Sequence, residues 1–170
     1  MWEVAKVLNE LVGSGVILDY AIFGAIAQVR YTEAVATLDV DTLVVIRDSN
    51  RIDVLSGIYS YLKQRGFQPE GEAIRIGDWP VQFIPAHDPL TQDAIQTAET
   101  DEVEGSPLRV VRADYLAVLA LKAGRNKDWL RISSLLESGS VTTNAIGSLA
   151  NKYGLDAEWS HFRKRFLDEG

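Results

Sequence analysis

The most restrictive feature of this 170-residue sequence is the run over residues 38–46, Leu-Asp-Val-Asp-Thr-Leu-Val-Val-Ile. Apart from two aspartates near one end, the run is almost continuously hydrophobic and rich in β-branched residues. A strand with one solvated face alternates between polar and apolar residues, whereas a strand covered on both faces does not. The run therefore predicts a central strand of a sheet that is covered on both faces.

Helix-like and strand-like patterns alternate around this run. Apolar residues at helical spacing predict a helix over residues 3–13, and a predicted strand over residues 16–23 follows. A short helix is predicted from Gly24 onwards. After the run, the turn and capping cluster at residues 48–50 and the helical spacing up to Gly66 predict another helix.

The next segment has the pattern of a β-hairpin followed by further elements. In chain order, the predicted elements are a strand over 72–76, the turn Gly77-Asp78, a strand over 81–84, a helix from Asp88 to about Glu99, a solvated acidic loop over 99–104 and a strand over 108–111. These elements, together with those before them, predict a mixed sheet.

From Asp114 onwards only helical periodicity remains. The sequence therefore predicts an α+β (α/β) fold with a small mixed β-sheet flanked by helices. Residues 1–112 form the predicted core, and residues 113–170 form a helical subdomain packed on it. The aromatic side chains of this subdomain have the spacing of helix packing, which we favour over a base-stacking platform.

The composition excludes several kinds of site. The chain has no cysteine, so disulfides, thiolate zinc sites and a cysteine nucleophile are excluded. A formal net charge of −7 makes broad capture of nucleic acid unfavourable. The longest apolar runs are too short to span a bilayer and the N-terminus resembles an amphipathic helix, so we expect no membrane association and a cytoplasmic location.

Asp39 and Asp41 are the main candidates for a functional site. Residues two apart in a strand share a face, so both carboxylates project from the same side. Two adjacent negative charges destabilise each other unless a cation neutralises them, and Mg²⁺ prefers oxygen ligands. The pair therefore predicts a divalent-metal site, although an Asp-x-Asp alone also fits an exposed strand end.

Gly24 lies where a predicted strand passes directly into a predicted helix. A glycine there permits a close approach of the backbone, and the helix N-terminus presents free N–H groups to an anion. Taken by itself, this glycine is better explained by a tight turn.

The stretch Tyr20 to Ala27 and the segment Thr37-Leu38-Asp39-Val40-Asp41 resemble the signature of minimal nucleotidyltransferases. That signature is a Gly-Gly or Gly-Ser pair followed by Thr-x-Asp-x-Asp. Residues 116–128 are similar to the helical Lys-x-x-x-Arg-x-Lys-Asp element of the branch that includes AbiEii-type toxins. Together the matches span most of the chain, and they imply a nucleotidyltransferase fold.

The resemblance also implies roles for individual residues. Asp39 and Asp41 would be catalytic and would hold Mg²⁺ or Mn²⁺, with an NTP as substrate. The nucleotide-binding residues would be Gly24, Ala25, Thr37, Lys122, Arg125, Lys127 and Asp128. For the cations around the helix end, including Arg131, phosphate contact and ordinary ion pairing with Asp128 are both open.

The sequence departs from the family pattern at two positions. Ala25 replaces the second small residue of the glycine pair, and Gln82 occupies the position of a third carboxylate on a neighbouring strand. An amide oxygen can bind a metal, so Gln82 is a candidate third ligand, but it cannot act as a carboxylate base. Glu70, Glu72 and Asp88 are alternative sources of that carboxylate.

Three functional hypotheses follow. The first is a Mg²⁺-dependent enzyme that transfers NMP from an NTP to a hydroxyl of a small molecule, a protein or an RNA end. The second is a catalytically degenerate nucleotide-binding or toxin-antitoxin module whose partner is an antitoxin or a second copy of the chain. The third is a purely structural interaction domain. Gln82 favours the second hypothesis.

Overall fold

A computed structural model describes residues 1–33, 36–47 and 53–167 of the chain. The helices are α1 (Trp2–Gly13), α2 (Gly24–Gln28), α3 (Ser56–Gln64), α4 (Pro89–Gln96), α5 (Ala113–Ala123), α6 (Asn126–Glu137), α7 (Thr143–Lys152) and α8 (Asp156–Phe166). The strands are β1 (Asp19–Phe23), β2 (Val40–Val45), β3 (Gln68–Glu70), β4 (Ala73–Ile76), β5 (Trp79–Pro85), β6 (Glu99–Val103) and β7 (Ser106–Val110). The predicted mixed α/β fold is confirmed.

The seven strands form one mixed sheet in the order β3-β4-β5-β2-β1-β7-β6. The strand β2, which contains Asp41, lies in the middle, antiparallel to β1 and parallel to β5. Its residues Val40, Leu43 and Val44 are fully or almost fully buried. The continuous hydrophobic run thus forms the central strand that it predicts, although β2 is shorter than residues 38–46.

The prediction of a loop over residues 99–104 was wrong, because Glu99–Val103 form the edge strand β6. Backbone pairing with β7 holds this strand, and Arg30 forms ion pairs of 3.0 Å with both Glu99 and Asp101. An acidic segment can form an edge strand because its side chains remain in solvent and discourage further pairing. Sequence analysis also missed the short edge strand β3 at the other end of the sheet.

Several predicted helix boundaries shift in the structure. The predicted capping cluster Asp48-Ser49-Asn50 lies outside the described residues, and so does Ile52, the first apolar residue of the predicted helix. The helix predicted from Asp88 begins one residue later, and Asp88 caps it, since its carboxylate accepts a 3.1 Å hydrogen bond from the Thr91 N–H. Asp156 is the first residue of α8, and its carboxylate accepts a hydrogen bond from Asn151.

The C-terminal helices share one hydrophobic core with the sheet. Helix α5 is buried along most of its length, and its Leu116 and Leu121 belong to the same cluster as Leu8 of α1 and Leu43 of β2. At the far end, the rings of Trp129 and Phe162 stack with centroids 5.8 Å apart. No helix among the described residues has the length and hydropathy needed to cross a membrane.

Candidate active site

Asp39 and Asp41 lie at the start of the central strand. Asp41 is half-buried and lies in register with Phe23 of β1 on one side and with Gln82 of β5 on the other. Asp39 is half-buried just before β2, and its carboxylate and carbonyl oxygens accept hydrogen bonds from the Thr37 hydroxyl at 3.3 and 3.1 Å. Thr37 therefore orients Asp39 locally.

Gly24 lies directly beneath the Asp41 carboxylate. It has a φ of +68°, in the left-handed region that favours glycine, and a Cβ at this position would collide with Asp41 Oδ2. Both facts require glycine here. Ala25 follows at the first turn of α2 and is half-buried. The predicted close approach is therefore between the Gly24 backbone and Asp41, a candidate metal ligand.

The Asp41 carboxylate accepts no hydrogen bond and forms no ion pair with any described residue. Burial raises its pKa above the usual value, and the negative charge of Asp39 raises it further. The positive charges of Lys127, Arg131 and Arg125 act in the opposite direction without overcoming the burial. Asp41 is consequently a destabilised anion, a condition that a bound divalent cation relieves.

The three cations that act on Asp41 come from the N-terminal part of α6 and the residue before it. Asp128 organises two of them, because it accepts a 2.6 Å hydrogen bond from Arg125 Nε and a 3.0 Å hydrogen bond from an Arg131 guanidinium nitrogen. The Asp128 side chain is only 1% exposed, whereas that of Arg125 is 60% exposed. The buried carboxylate thus holds an exposed guanidinium in place beside the aspartate pair.

Gln28 connects α2 to this cluster and was missed by sequence analysis. Its side-chain oxygen accepts a 3.1 Å hydrogen bond from Arg131 Nε, and Gln28 itself is almost fully buried. Burial lowers the pKa of Arg131, while the charges of Asp128 and Asp41 raise it. A glutamine in a short helix carries no sequence signal for such a contact, because the partner lies about a hundred residues further along the chain.

The fold is similar to that of an antigenic nucleotidyltransferase-like protein from Paracoccidioides brasiliensis. The two chains share 15% identity over 93% of this chain and 92% of that chain, with a TM-score of 0.52. This chain has a nucleotidyltransferase-like fold. No protein-family model matches the sequence, and no curated protein does.

Two other similar structures are more distant. ANT(2'')-Ia in complex with adenylyl-2''-tobramycin has 14% identity over 96% of this chain and 98% of that chain, with a TM-score of 0.46. The Megavirus polyadenylate synthase has 12% identity over 81% of this chain and 32% of that chain, with a TM-score of 0.44.

Lys122 is a predicted nucleotide contact, and its amine donates a 2.9 Å hydrogen bond to Asp88 at the start of α4. Asp128 was also predicted to face the nucleotide, but the structure buries its carboxylate between Arg125 and Arg131. Of the predicted C-terminal contacts, Arg125 and Lys127 are therefore the exposed side chains that act on Asp41.

No described carboxylate joins Asp39 and Asp41 as the third carboxylate of the family pattern. Among the described residues, no group of three or more histidine, aspartate or glutamate side chains could hold a metal. Glu70 forms an ion pair with Arg75, and Asp88 forms one with Lys122. Gln82, in contrast, lies opposite Asp41 in the parallel pair of β2 and β5. Two carboxylates and an amide oxygen form an all-oxygen donor set of the type that Mg²⁺ accepts.

Proposed function

We propose that this chain is a metal-dependent nucleotidyltransferase that transfers NMP from an NTP to a hydroxyl acceptor. The observation that supports this proposal is the Asp41 carboxylate, which is half-buried and lacks any hydrogen-bond donor among the described residues. Asp39 repels it from the same strand end, and exposed cations of the α6 region lie within electrostatic range. Such an arrangement suits a divalent cation that carries a phosphate-rich substrate.

In this proposal Asp39 and Asp41 hold Mg²⁺ or Mn²⁺, with the Gln82 amide oxygen as a third ligand. A bound divalent ion supplies charge neutralisation for the triphosphate and polarisation of its phosphorus–oxygen bonds. Arg125 and Lys127 bind phosphate oxygens, because among the described residues Arg125 has an ion pair only with Asp128 and Lys127 has none. Gly24 and Ala25 keep the backbone beside Asp41 free of bulky side chains that would exclude a phosphate.

Purified protein incubated with labelled NTPs, Mg²⁺ and cell lysate tests the activity. We expect a labelled acceptor with the native chain and at least about a hundredfold less label with Asp39→Asn, because a metal ligand is lost. Glu70→Gln is the matched control, since Glu70 pairs with Arg75 at the edge of the sheet. The absence of transfer by the native chain would contradict the proposal.

The second candidate is a catalytically silent protein that binds nucleotide and regulates a partner, such as an antitoxin or a second copy of the chain. The observation that favours it is Gln82, which lies opposite Asp41 where a carboxylate base would be needed. This candidate predicts binding of Mg²⁺–NTP without transfer. It also predicts that Gln82→Asp creates transfer activity, whereas the enzymatic proposal requires activity in the native chain.

A further inference from the structure

A cleft of about 520 Å³ opens beside the proposed metal site, on the side of β5 that faces away from β2. The described pairing of β4 with β5 ends at Ile74 and Val81, whereas β5 continues to Pro85. Leu55 and Tyr59, from the α3 region, line the cleft together with this unpaired part of β5. The cleft therefore occupies a gap in the sheet edge, and its volume is typical of a site for a small molecule.

The walls of this cleft are mainly apolar and aromatic. Leu55 and Tyr59 contribute one wall from the α3 region, and Phe83 and Ile84 contribute the other from β5. The Tyr59 and Phe83 rings meet edge to face, with centroids 6.5 Å apart. The Tyr59 hydroxyl donates a 2.7 Å hydrogen bond to the Glu72 carbonyl, so its polar end is already satisfied. These walls favour a flat, apolar ligand body.

Gln82 joins the cleft to the aspartate pair. Gln82 lines the cleft and lies in register with Asp41 on the adjacent parallel strand. Paired strands are about 5 Å apart, so an amide at this position is within reach of groups bound on either side. The Gln82 side chain has no hydrogen-bond partner among the described residues. It is a free polar group in an otherwise apolar wall.

The charges of the cleft identify the class of ligand. Among the described lining residues, the charged side chains are Lys63 and Glu72, one of each sign, and both are exposed. A polycationic ligand needs several carboxylates, and a polyanionic ligand needs several cations. The described lining residues provide neither, so they fit an uncharged ligand.

We propose that the cleft binds the acceptor, a neutral small molecule with an aromatic ring and a hydroxyl group, and that Gln82 positions that hydroxyl. This inference rests on the proposed function. In the reaction, the acceptor oxygen forms a bond to the α-phosphorus of the NTP. The bond from that phosphorus to pyrophosphate breaks with its electron pair on pyrophosphate, and the hydroxyl proton passes to solvent water.

The probe for this site is 2-phenylethanol, titrated into the full-length ¹⁵N-labelled protein and followed by amide chemical shifts. We expect shifts at the cleft residues. Ile84→Trp and Leu55→Trp fill the cleft from opposite walls, so either variant that folds weakens probe binding by about tenfold or more. Leu130→Trp is the matched control, because it adds the same ring at a position that is 67% exposed on α6.

The role of Gln82 is tested by steady-state kinetics with 2-phenylethanol as acceptor. We expect Gln82→Leu to raise KM for the alcohol severalfold more than it weakens Mg²⁺–ATP binding, which it also weakens because the Gln82 amide oxygen is a proposed metal ligand. Shifts confined to another surface, or unchanged probe binding in both folded tryptophan variants, would overturn the cleft assignment. Failure of the native chain to bind Mg²⁺–ATP would instead overturn the proposed function, whatever the probe does.

Discussion

At the scale of single residues, the site is defined by an aspartate that is costly to ionise. Asp41 gains no hydrogen bond from the described residues, and burial beside Asp39 raises its pKa. Folding therefore favours the protonated form of this group. A residue that lowers the stability of the fold and lies beside exposed cations is typical of a functional site, because ligand binding there compensates for the lost stability.

The first prediction concerns the pH dependence of stability. Because the pKa of Asp41 is raised in the folded state, its contribution to stability is complete below its ordinary pKa and is lost as pH rises through the raised value. Asp41→Asn removes this loss. In EDTA, we expect a higher Tm than the native chain at pH 7 and a difference that disappears towards pH 3.5.

Asp93→Asn is the control of opposite sign. Hydrogen bonds from Lys152 and Tyr153 lower the pKa of Asp93, so its ionised form stabilises the fold at neutral pH. This variant should have a lower Tm at pH 7 than the native chain. Thermal melts at several pH values provide the measurement, and a lower Tm for Asp41→Asn at pH 7 would show that its carboxylate has a stabilising partner.

The second prediction concerns the close contact beneath Asp41. Gly24→Ala introduces left-handed strain of about 1–2 kcal/mol and also drives a methyl group into the Asp41 carboxylate. Gly15→Ala introduces similar strain, at a φ of +72°, but the added Cβ meets no described atom within 4 Å. We expect both variants to lose stability in chemical denaturation. Weakened Mg²⁺–ATP binding in calorimetry should appear only with Gly24→Ala, and equal weakening in both would refute the contact.

At the scale of secondary-structure elements, the N-terminus of α6 is anchored by a buried ion cluster. Asp128 pairs with Arg125 and Arg131, and Arg131 also reaches Gln28 in α2. Sequence analysis identified Arg125 and Asp128 from a motif and left open whether they bind phosphate or each other. The structure shows that they bind each other, while the exposed guanidinium of Arg125 still interacts electrostatically with Asp41.

The third prediction tests this cluster. Asp128→Asn leaves Arg131, whose side chain is only 11% exposed, without its carboxylate, and breaking a buried pair costs about 3–5 kcal/mol. We expect a loss of this size in urea unfolding, together with weaker Mg²⁺–ATP binding because Arg125 is no longer oriented. Glu70→Gln is the control, since its ion pair with Arg75 is exposed and contributes little. Equal effects of the two variants would contradict the anchoring role.

At the scale of the whole molecule, the sheet and the C-terminal helices depend on each other. Leu8 and Leu43 from the first 112 residues share one hydrophobic cluster with Leu121 and Phe162 from the rest. The division into a core over residues 1–112 and a helical subdomain over residues 113–170 remains a prediction from the sequence pattern. A shared core means that neither part buries its apolar surface alone.

The fourth prediction follows from this shared core. The full chain should unfold in one cooperative transition, and a fragment ending at residue 112 should lack fixed tertiary structure because the surface that α5 covers would be exposed. Near-ultraviolet circular dichroism and the dispersion of the amide NMR spectrum measure this. A well-dispersed spectrum from the fragment would show that the two parts are independent domains.

The order of most elements, the central position of the strand over residues 38–46 and the candidacy of Asp39 and Asp41 can all be predicted from the sequence. Periodicity and turn residues are local signals, so these features can be identified without tertiary contacts. Three other features are visible only in the folded chain: the acidic residues Glu99–Val103 form an edge strand, Gly24 lies against Asp41, and Asp128 is buried. Each of these depends on pairing or packing between residues far apart along the chain, and local patterns do not encode such contacts.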